Sequence, residues 1–231
     1  KIIKEAYYAT NSFVDAQVGR VLDKLEATGL DKNTIIVFTS DHGYHLGEHG
    51  HWQKRTLFDK ATRVPLIVAG PNINKNEKIM DAPVELVDIY PTLMELLGME
   101  TPEFVTGISF APLLKDSNVR VRKSALTELS VNTGGNSKVQ GYSIKTDRYR
   151  LTQWGEDGIL GYELYDHKFD KRELNNLSNN NEYKQIKDSL YIIINRRISK
   201  VRDKPKGLGR QFENAKEWYE PKSIHSQPKS N

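Results

Sequence analysis

The chain has 231 residues, of which 37% are apolar and 28% charged, a composition typical of a globular protein with a core of its own. Because no apolar run approaches the roughly 18 residues that a membrane helix needs, we expect no membrane span. Cysteine is absent, which excludes disulfides and thiolate-ligated metals. The net charge is +4, but no nucleic-acid-binding motif accompanies it, so we expect no nucleic-acid partner.

The first part of the chain alternates predicted helices and strands. Residues 4–28 carry apolar side chains at spacings of three and four, which predicts an amphipathic helix. Short apolar runs at 35–39 and 65–69 predict buried strands, and residues 88–97 predict a second helix with a proline in its first turn. This order indicates an α/β fold, in which part of a largely parallel sheet is covered by helices.

The pattern changes after residue 122, where short β-prone runs follow one another. They predict a small antiparallel sheet, on which a helix over residues 182–201 can pack. The runs are 125–129, 141–146, 149–154 and 161–165. The sequence therefore predicts three regions: an α/β domain over 1–122, an antiparallel subdomain over 123–201 and a basic, extended tail over 202–231.

A histidine-rich segment joins the two strands predicted in the first region. Four of the six histidines of the chain lie within ten residues there, between Asp41 and Lys54. Asp41 and His42 directly follow the strand 35–39, at the end where open α/β sheets place their ligands. An acid, several imidazoles and a lysine at such a place indicate a metal-assisted site for an anionic substrate.

The same segment resembles a known family. Residues 38–71, FTSDHGYHLGEHGHWQKRTLFDKATRVPLIVAGP, are similar to the second metal-binding motif of the sulfatases, most closely of the iduronate-2-sulfatase branch. Further similar stretches follow the family order, at 7–30, 84–98, 107–114, 141–154 and 163–166. The resemblance implies an alkaline phosphatase-like fold, and it implies that the chain is the carboxyl-terminal half of a sulfatase.

The resemblance also assigns roles to three residues of the segment. Asp41 and His42 would bind Ca²⁺, a cation that prefers carboxylate oxygens; imidazole is an unusual ligand for it, but it matches the branch. Lys54 would hold the sulfate and its bridging oxygen as negative charge builds there. From the residues alone, Asp41 could instead cap a turn and His42 could be a hydrogen-bonded core group.

The neighbouring aromatic side chains are candidates for the substrate pocket. Tyr44, His45 and His51 are expected to contact the sugar. His45 and His49 are four residues apart and could ligate zinc on a helix, but the glycines between and beside them disfavour a helix.

Three cations stand near the predicted hairpin of the second region. Lys145, Arg148 and Arg150 could meet a substrate carboxylate or a neighbouring sulfate. The alternative is that they only solvate one face of a strand.

The sulfatase nucleophile is missing from this chain. Sulfatases form it, a formylglycine, from the first residue of a Cys/Ser-x-Pro-x-Arg motif, and the nearest string, at 226–230, lacks the arginine. We therefore expect the nucleophile on the amino-terminal half of the same sulfatase, as a partner of this chain. The implied reaction is hydrolysis of sulfate esters on a sulfated polysaccharide or its oligosaccharides, with a 2-sulfated uronic acid as the unit that the branch suggests.

Two other functions remain open from the sequence. One is a phosphodiesterase or phosphonate hydrolase of the same superfamily, and the other is a non-catalytic module that binds acidic glycans. The Lys-, Asn- and Ile-rich usage suggests a bacterial source, for which we expect a periplasmic or secreted location.

Overall fold

In the computed structural model, the described part of the chain comprises residues 2–71, 73, 79–134 and 137–202. Its first region alternates helices with short strands, close to the predicted bounds. The elements are α1 (Ile2–Ala27), β1 (Ile36–Thr39), β2 (His45–Leu46), β3 (Trp52–Gln53), α2 (Asp59–Thr62), β4 (Leu66–Ala69), α3 (Ile89–Leu96) and α4 (Ala111–Lys115).

Strands β1 and β4 pair with each other, and they run antiparallel, with Val37 opposite Val68. Within the described chain, this pair is therefore an antiparallel part of a sheet that the sequence predicts to be largely parallel. A parallel pair needs a crossover that returns the chain to the end of the sheet where the first strand began. Here the connection contains only the four-residue helix α2 and a small hairpin, so β4 begins beside the end of β1 and runs back along it.

The second region is an antiparallel sheet with one helix packed on it, as predicted. Strands β5 (Ala125–Gly134), β6 (Ser137–Lys145), β7 (Tyr149–Trp154) and β8 (Gly161–Asp166) lie in that order. Helix α5 (Lys184–Arg202) covers one face. The sheet and the helix share one buried core, formed by Tyr142, Ile144, Leu151, Leu164, Leu190, Ile194 and Ile198.

A buried network of ion pairs crosses the boundary predicted at residue 122. Arg122 donates from Nε to Asp88 Oδ2 at 2.6 Å and lies 3.2 Å from Glu85. Arg197 on α5 also pairs with Glu85, and the Leu126 amide donates to the same carboxylate at 2.7 Å. Because Glu85 bonds to Arg122 of the first region and to Arg197 and Leu126 of the second, this carboxylate fixes the two regions to each other.

Helix α1 has the predicted length, but none of its residues is buried within the described chain. Its large apolar side chains, Phe13, Val14, Val21 and Leu22 among them, are exposed. Among the helices described, none combines the length and the apolar character needed to cross a membrane. The predicted tail over 202–231 lies outside the described residues apart from Arg202, which ends α5.

Candidate active site

Asp41 and His42 lie just beyond the end of β1, and their side chains are adjacent. Asp41 Oδ2 is 3.5 Å from His42 Nε2, and His42 Nδ1 is 2.8 Å from the carbonyl oxygen of Gly43. A carbonyl only accepts, so Nδ1 carries the proton and Nε2 keeps its lone pair. A backbone carbonyl fixes metal-ligating imidazoles in this same way.

Lys54 returns to the same place through a two-stranded hairpin. Strands β2 and β3 pair antiparallel, with His45 opposite Gln53, so the chain reverses and brings the Lys54 ammonium within 2.6 Å of His42 Nε2. The ammonium can only donate, which agrees with the lone pair assigned to Nε2. Gln53, just before it, has a φ of 72°, a conformation uncommon for residues other than glycine. The structure thus brings Asp41, His42 and Lys54 together.

The donor set of Asp41 and His42 fits a divalent cation in part. Asp41 Oδ2 and His42 Nε2 are 3.5 Å apart, close enough to share an ion, but Ca²⁺ takes six to eight ligands, and the Nε2 lone pair is bonded to Lys54 in this structure. Within the described ranges, the Asp41 carboxylate is 82% exposed and shows neither a Lys or Arg partner nor a backbone hydrogen bond. The turn-capping alternative therefore has no support from the contacts of Asp41.

Gly43 lets this loop lie directly against α2. Its amide donates to the carbonyl oxygen of Ala61 at 2.8 Å. A Cβ at Gly43 would come 2.0 Å from the carbonyl oxygen of Lys60. Only glycine permits so close an approach of the two backbones, and this approach places α2 next to His42.

His45 is fully buried inside the hairpin, which does not fit the expectation of a sugar contact. Its Nε2 is 2.6 Å from Thr56 Oγ1, while Nδ1 has no partner in the described structure. Burial lowers the pKa of His45, although Glu48 opposes the effect. The rings of His49 and Phe58 stack 3.8 Å apart beside it. Because the segment is a hairpin, the helical His45–His49 zinc pair is not formed.

Tyr44 and His51 lie outside the cavity described below. The Tyr44 ring stacks on Tyr7 of α1 at 5.2 Å, whereas His51 is exposed. Tyr44 therefore anchors the loop to α1 in this chain.

A cavity of about 3230 Å³ opens in front of Asp41, His42 and Lys54. Among the described residues, its lining contains fifteen Lys or Arg against seven Asp or Glu. Ligand pockets commonly measure about 300–1,000 Å³, so a small molecule would fill only a fraction of this space. The excess of cations favours anionic ligands by raising their local concentration.

The three cations of the predicted hairpin have different surroundings. Lys145 lines the cavity and donates to the carbonyl oxygen of Thr146; burial, together with Arg150, lowers its pKa. Arg148 lies outside the cavity lining and forms a two-pronged ion pair with Asp166, at 2.8 and 2.6 Å. Of the two, only Lys145 faces the cavity.

Arg150 is 2% exposed and is held by carboxylates of both regions. It donates from Nε to Glu173 at 2.5 Å and from Nη2 to Asp59 at 2.7 Å. Its guanidinium therefore serves as an internal ion-pair partner, which leaves these donors no freedom to bind a sugar.

No pattern in the sequence indicates Asp59, His167 and Glu173 as a cluster. Their potential ligand atoms all lie within 4.8 Å of one another, and His167 Nε2 is 2.7 Å from Glu173 Oε1. Arg150 already donates to both carboxylates, so this is an ion-pair network around a guanidinium. We call these four residues the Glu173 network. Asp59 and Arg150 are separated by 91 positions, and no local pattern could have paired them.

The sequence of this chain is similar to those of several known proteins. The family model described as Sulfatase matches residues 3–99. A protein named sulfatase from Formosa agariphila is 40% identical, over 84% of this chain and 36% of its own length. An N-acetylglucosamine-6-O-sulfatase from Bacteroides thetaiotaomicron is 34% identical, over 85% of this chain and 36% of its own length. The chain spans about a third of the length of these curated relatives.

Solved structures agree with the sequence relatives. A protein solved with its substrate, D-glucosamine-2-N,6-O-disulfate, superposes with a TM-score of 0.75 at 33% identity, over 84% of this chain and 40% of that one. A 2-O GAG sulfatase gives 0.73 at 31% identity, over 82% and 41%. A phosphonate monoester hydrolase from Silicibacter pomeroyi gives 0.71 at 26% identity, over 81% and 39%. The predicted fold class, alkaline phosphatase-like α/β followed by a small antiparallel sheet, is thereby confirmed.

Proposed function

Because this chain belongs to the sulfatase family, we propose that it is part of an enzyme that hydrolyses sulfate esters of carbohydrates. One observation carries the proposal: Asp41, His42 and Lys54 converge at the end of β1, with the Lys54 ammonium 2.6 Å from His42 Nε2. In this proposal the amino-terminal half of the sulfatase supplies the formylglycine and the other metal ligands.

Asp41 and His42 would hold a Ca²⁺ ion, which when bound neutralises charge on the sulfate oxygens. The proton on Nδ1, donated to Gly43, keeps the His42 imidazole turned with its Nε2 lone pair outward. The Asp41 carboxylate adds a negative oxygen ligand beside it. These two side chains therefore fix where the sulfate group binds.

Lys54 acts on the leaving group of the reaction in this proposal. Its ammonium carries three donors on a flexible stem, one of which reaches His42 in this structure. Because His42 Nε2 has one lone pair, a bound Ca²⁺ would take it from Lys54, and the ammonium would then bond a sulfate oxygen and the ester oxygen. As the S–O bond breaks, negative charge grows on the ester oxygen, and a preorganised donor stabilises that charge more than the ground state.

The substrate class is proposed from the cavity and the relatives together. The lining is rich in cations, and two similar structures are described with a sulfated glucosamine substrate and as a 2-O GAG sulfatase. We infer a sulfated polysaccharide or oligosaccharide, with Lys145 as a contact to a neighbouring anionic group. The uronic acid unit, the iduronate-2-sulfatase branch and a periplasmic or secreted location remain predictions.

Hydrolysis of phosphonate monoesters is the second candidate, because a hydrolase of that type is also structurally similar. The two reactions are separated by assaying the full-length enzyme on an aryl sulfate and on an aryl phosphonate. A higher kcat/KM for the phosphonate would overturn the sulfatase proposal. Binding of sulfated oligosaccharides without turnover of either ester would support the glycan-binding alternative.

The decisive variant is Lys54→Ala in the full-length enzyme. We expect kcat for an aryl sulfate to fall by roughly 10²–10³, the loss typical of one transition-state donor. Lys60→Ala is the matched control, because Lys60 lines the same cavity and is exposed on α2. Near-normal kcat in Lys54→Ala would contradict the role of Lys54 as a transition-state donor.

The assignment of Asp41 as a metal ligand is tested by Asp41→Asn, which removes a charged ligand. Unchanged Ca²⁺ affinity in this variant would contradict the assignment.

A further inference from the structure

Glu173 is a buried carboxylate that the proposed chemistry does not use. It is 2% exposed, and it accepts hydrogen bonds from Arg150 Nε at 2.5 Å, His167 Nε2 at 2.7 Å and the Asp59 amide at 2.7 Å. Its φ of 56° is left-handed, which a residue other than glycine adopts only where its surroundings impose it. Several independent contacts therefore fix its position.

The Glu173 network holds the first residue of α2 by two bonds. Glu173 Oε2 accepts from the backbone amide of Asp59, and Arg150 Nη2 donates to the Asp59 carboxylate at 2.7 Å. The amide is one of those that a helix leaves unsatisfied at its beginning. The antiparallel subdomain thus holds both the backbone and the side chain of Asp59.

Helix α2 also contacts Gly43, the residue that follows the candidate metal ligand His42. The Ala61 carbonyl accepts from the amide of Gly43, the residue after His42, at 2.8 Å. The backbone carbonyl of Lys60 leaves no room for a Cβ at Gly43. A displacement of α2 would therefore be transmitted to His42 directly through the backbone.

Lys54 is connected to α2 by a short, packed segment. Thr56 donates from its amide to the Lys54 carbonyl at 2.8 Å, and its hydroxyl meets the buried His45. Leu57 is 3% exposed and reaches Gly141 of the subdomain, where a Cβ would lie 2.7 Å from its Cδ1. The chain from Lys54 to α2 thus follows the position of the subdomain.

We propose that Glu173 is a positioning residue of the active site, which acts with Arg150 on α2 to set the separation of Lys54 and His42. This inference rests on the proposed function, because it assigns Glu173 a part in that same site. Burial opposes the ionised carboxylate, but the bonds from His167, Arg150 and Asp59 outweigh it and keep the pKa of Glu173 below its usual value. Glu173 is therefore ionised at neutral pH.

The test is Glu173→Gln in the full-length enzyme. The amide keeps the size of the side chain but loses the charge that binds Arg150. Misplacement by about 1 Å can cost roughly 10²-fold in rate, so we expect kcat for an aryl sulfate to fall about 10- to 100-fold with KM changed less than about twofold. A fall in kcat with KM retained distinguishes loss of geometry from loss of substrate binding.

Asp88→Asn is the matched control. Asp88 is also a fully buried carboxylate paired with an arginine, and it accepts from backbone amides of Ile108 and Glu85. None of these bonds reaches residues 41–62. Both variants should lower Tm, but only Glu173→Gln should lower kcat. Equal kcat losses at equal Tm losses would mean that Glu173 only stabilises the fold, and would overturn the inference.

A second readout does not depend on turnover. Amide hydrogen exchange over residues 43–61 should accelerate about tenfold in Glu173→Gln and stay unchanged in Asp88→Asn, because local opening controls exchange. Should Glu173→Gln fail to fold, Asp59→Asn removes the charge that pairs with Arg150, at a partly exposed position, and should give a smaller change of the same kind. Unchanged exchange in these variants overturns the inference. If exchange accelerates in the variants but the wild-type enzyme hydrolyses no aryl sulfate, only the proposed function is overturned.

Discussion

At the scale of single residues, charge alone does not reveal the role of a cation. Lys145, Arg148 and Arg150 lie within six positions of the chain, yet Arg148 pairs with Asp166 and Arg150 with Glu173 and Asp59. The three carboxylates that pair with these arginines are all at least partly buried. Lys145, in the part of the chain that the structure describes, donates to backbone carbonyls of its own turn, and it can exchange these bonds for an anionic ligand.

Lys145→Ala should therefore change substrate selection. A sulfate-ester centre treats sulfate alike on any sugar, so discrimination must come from groups that reach further along the substrate. We expect KM for an acidic sulfated oligosaccharide to rise several-fold, and the kinetics on a small neutral aryl sulfate to stay the same. Arg148→Ala serves as the comparison, because that side chain lies outside the cavity lining. Equal losses on both substrates would show that Lys145 supports only the strand.

At the scale of elements, the loop after β1 and helix α2 depend on one glycine. Gly43→Ala would place a Cβ 2.0 Å from a backbone oxygen, so the two segments must separate. We expect a large loss of kcat and a lower Tm in the full-length enzyme. Gly19→Ala, within α1, meets nothing within 4 Å in the described chain and should stabilise the helix by up to about 1 kcal/mol. Retained activity in Gly43→Ala would contradict the close contact.

The hairpin of β2 and β3 should lose stability in acid because it encloses His45. Burial lowers the pKa of this imidazole in the folded chain below its ordinary 6.5, so the unfolded state binds the proton more readily. Stability is therefore complete above pH 6.5 and falls as the pH decreases from there toward the folded-state pKa. Urea unfolding of the full-length enzyme between about pH 7 and 5 should show this fall, and His45→Gln should reduce it. His51→Gln, at an exposed position, should leave this fall unchanged. An equal effect of both variants would contradict the assignment of the fall to His45.

At the scale of the whole molecule, the two regions form one unit around a cavity. The Glu173 network joins them through Arg150 and Asp59, and Glu85 joins them elsewhere through Arg197 and the Leu126 amide. The apolar face of α1 and the outer faces of β1 and β4 are nevertheless exposed in the described chain. We infer that the rest of the sulfatase covers these faces.

Residues 1–231 alone should therefore not hydrolyse sulfate esters. Asp41 and His42 supply only part of a Ca²⁺ shell, and the sequence contains no formylglycine motif. The measurement is aryl-sulfate turnover by the purified chain and by the full-length enzyme under the same conditions, with full-length Lys54→Ala as the inactive control. Turnover by the isolated chain at more than the control rate would contradict the proposal that the nucleophile lies elsewhere.

Several features of the protein follow from the sequence by itself. Each predicted helix and strand is present, because apolar periodicity reflects local geometry, although β5 runs to Gly134 and the short elements β2, β3, α2 and α4 were not predicted. The convergence of Asp41, His42 and Lys54 was also predictable, since a strand end and a motif of fixed length place them. These predictions depend on residues close together in the chain, where spacing determines position.

Other features were decided only by the tertiary structure. The antiparallel pairing of β1 and β4 depends on where the connecting chain emerges, which no periodicity records. Burial of His45 and the pairing of Arg150 depend on groups brought together from distant positions, such as Glu173, 23 residues beyond Arg150, and Asp59, 91 residues before it. The sequence does not show whether a charged side chain is solvated or paired with a buried carboxylate, because the tertiary structure determines its partner.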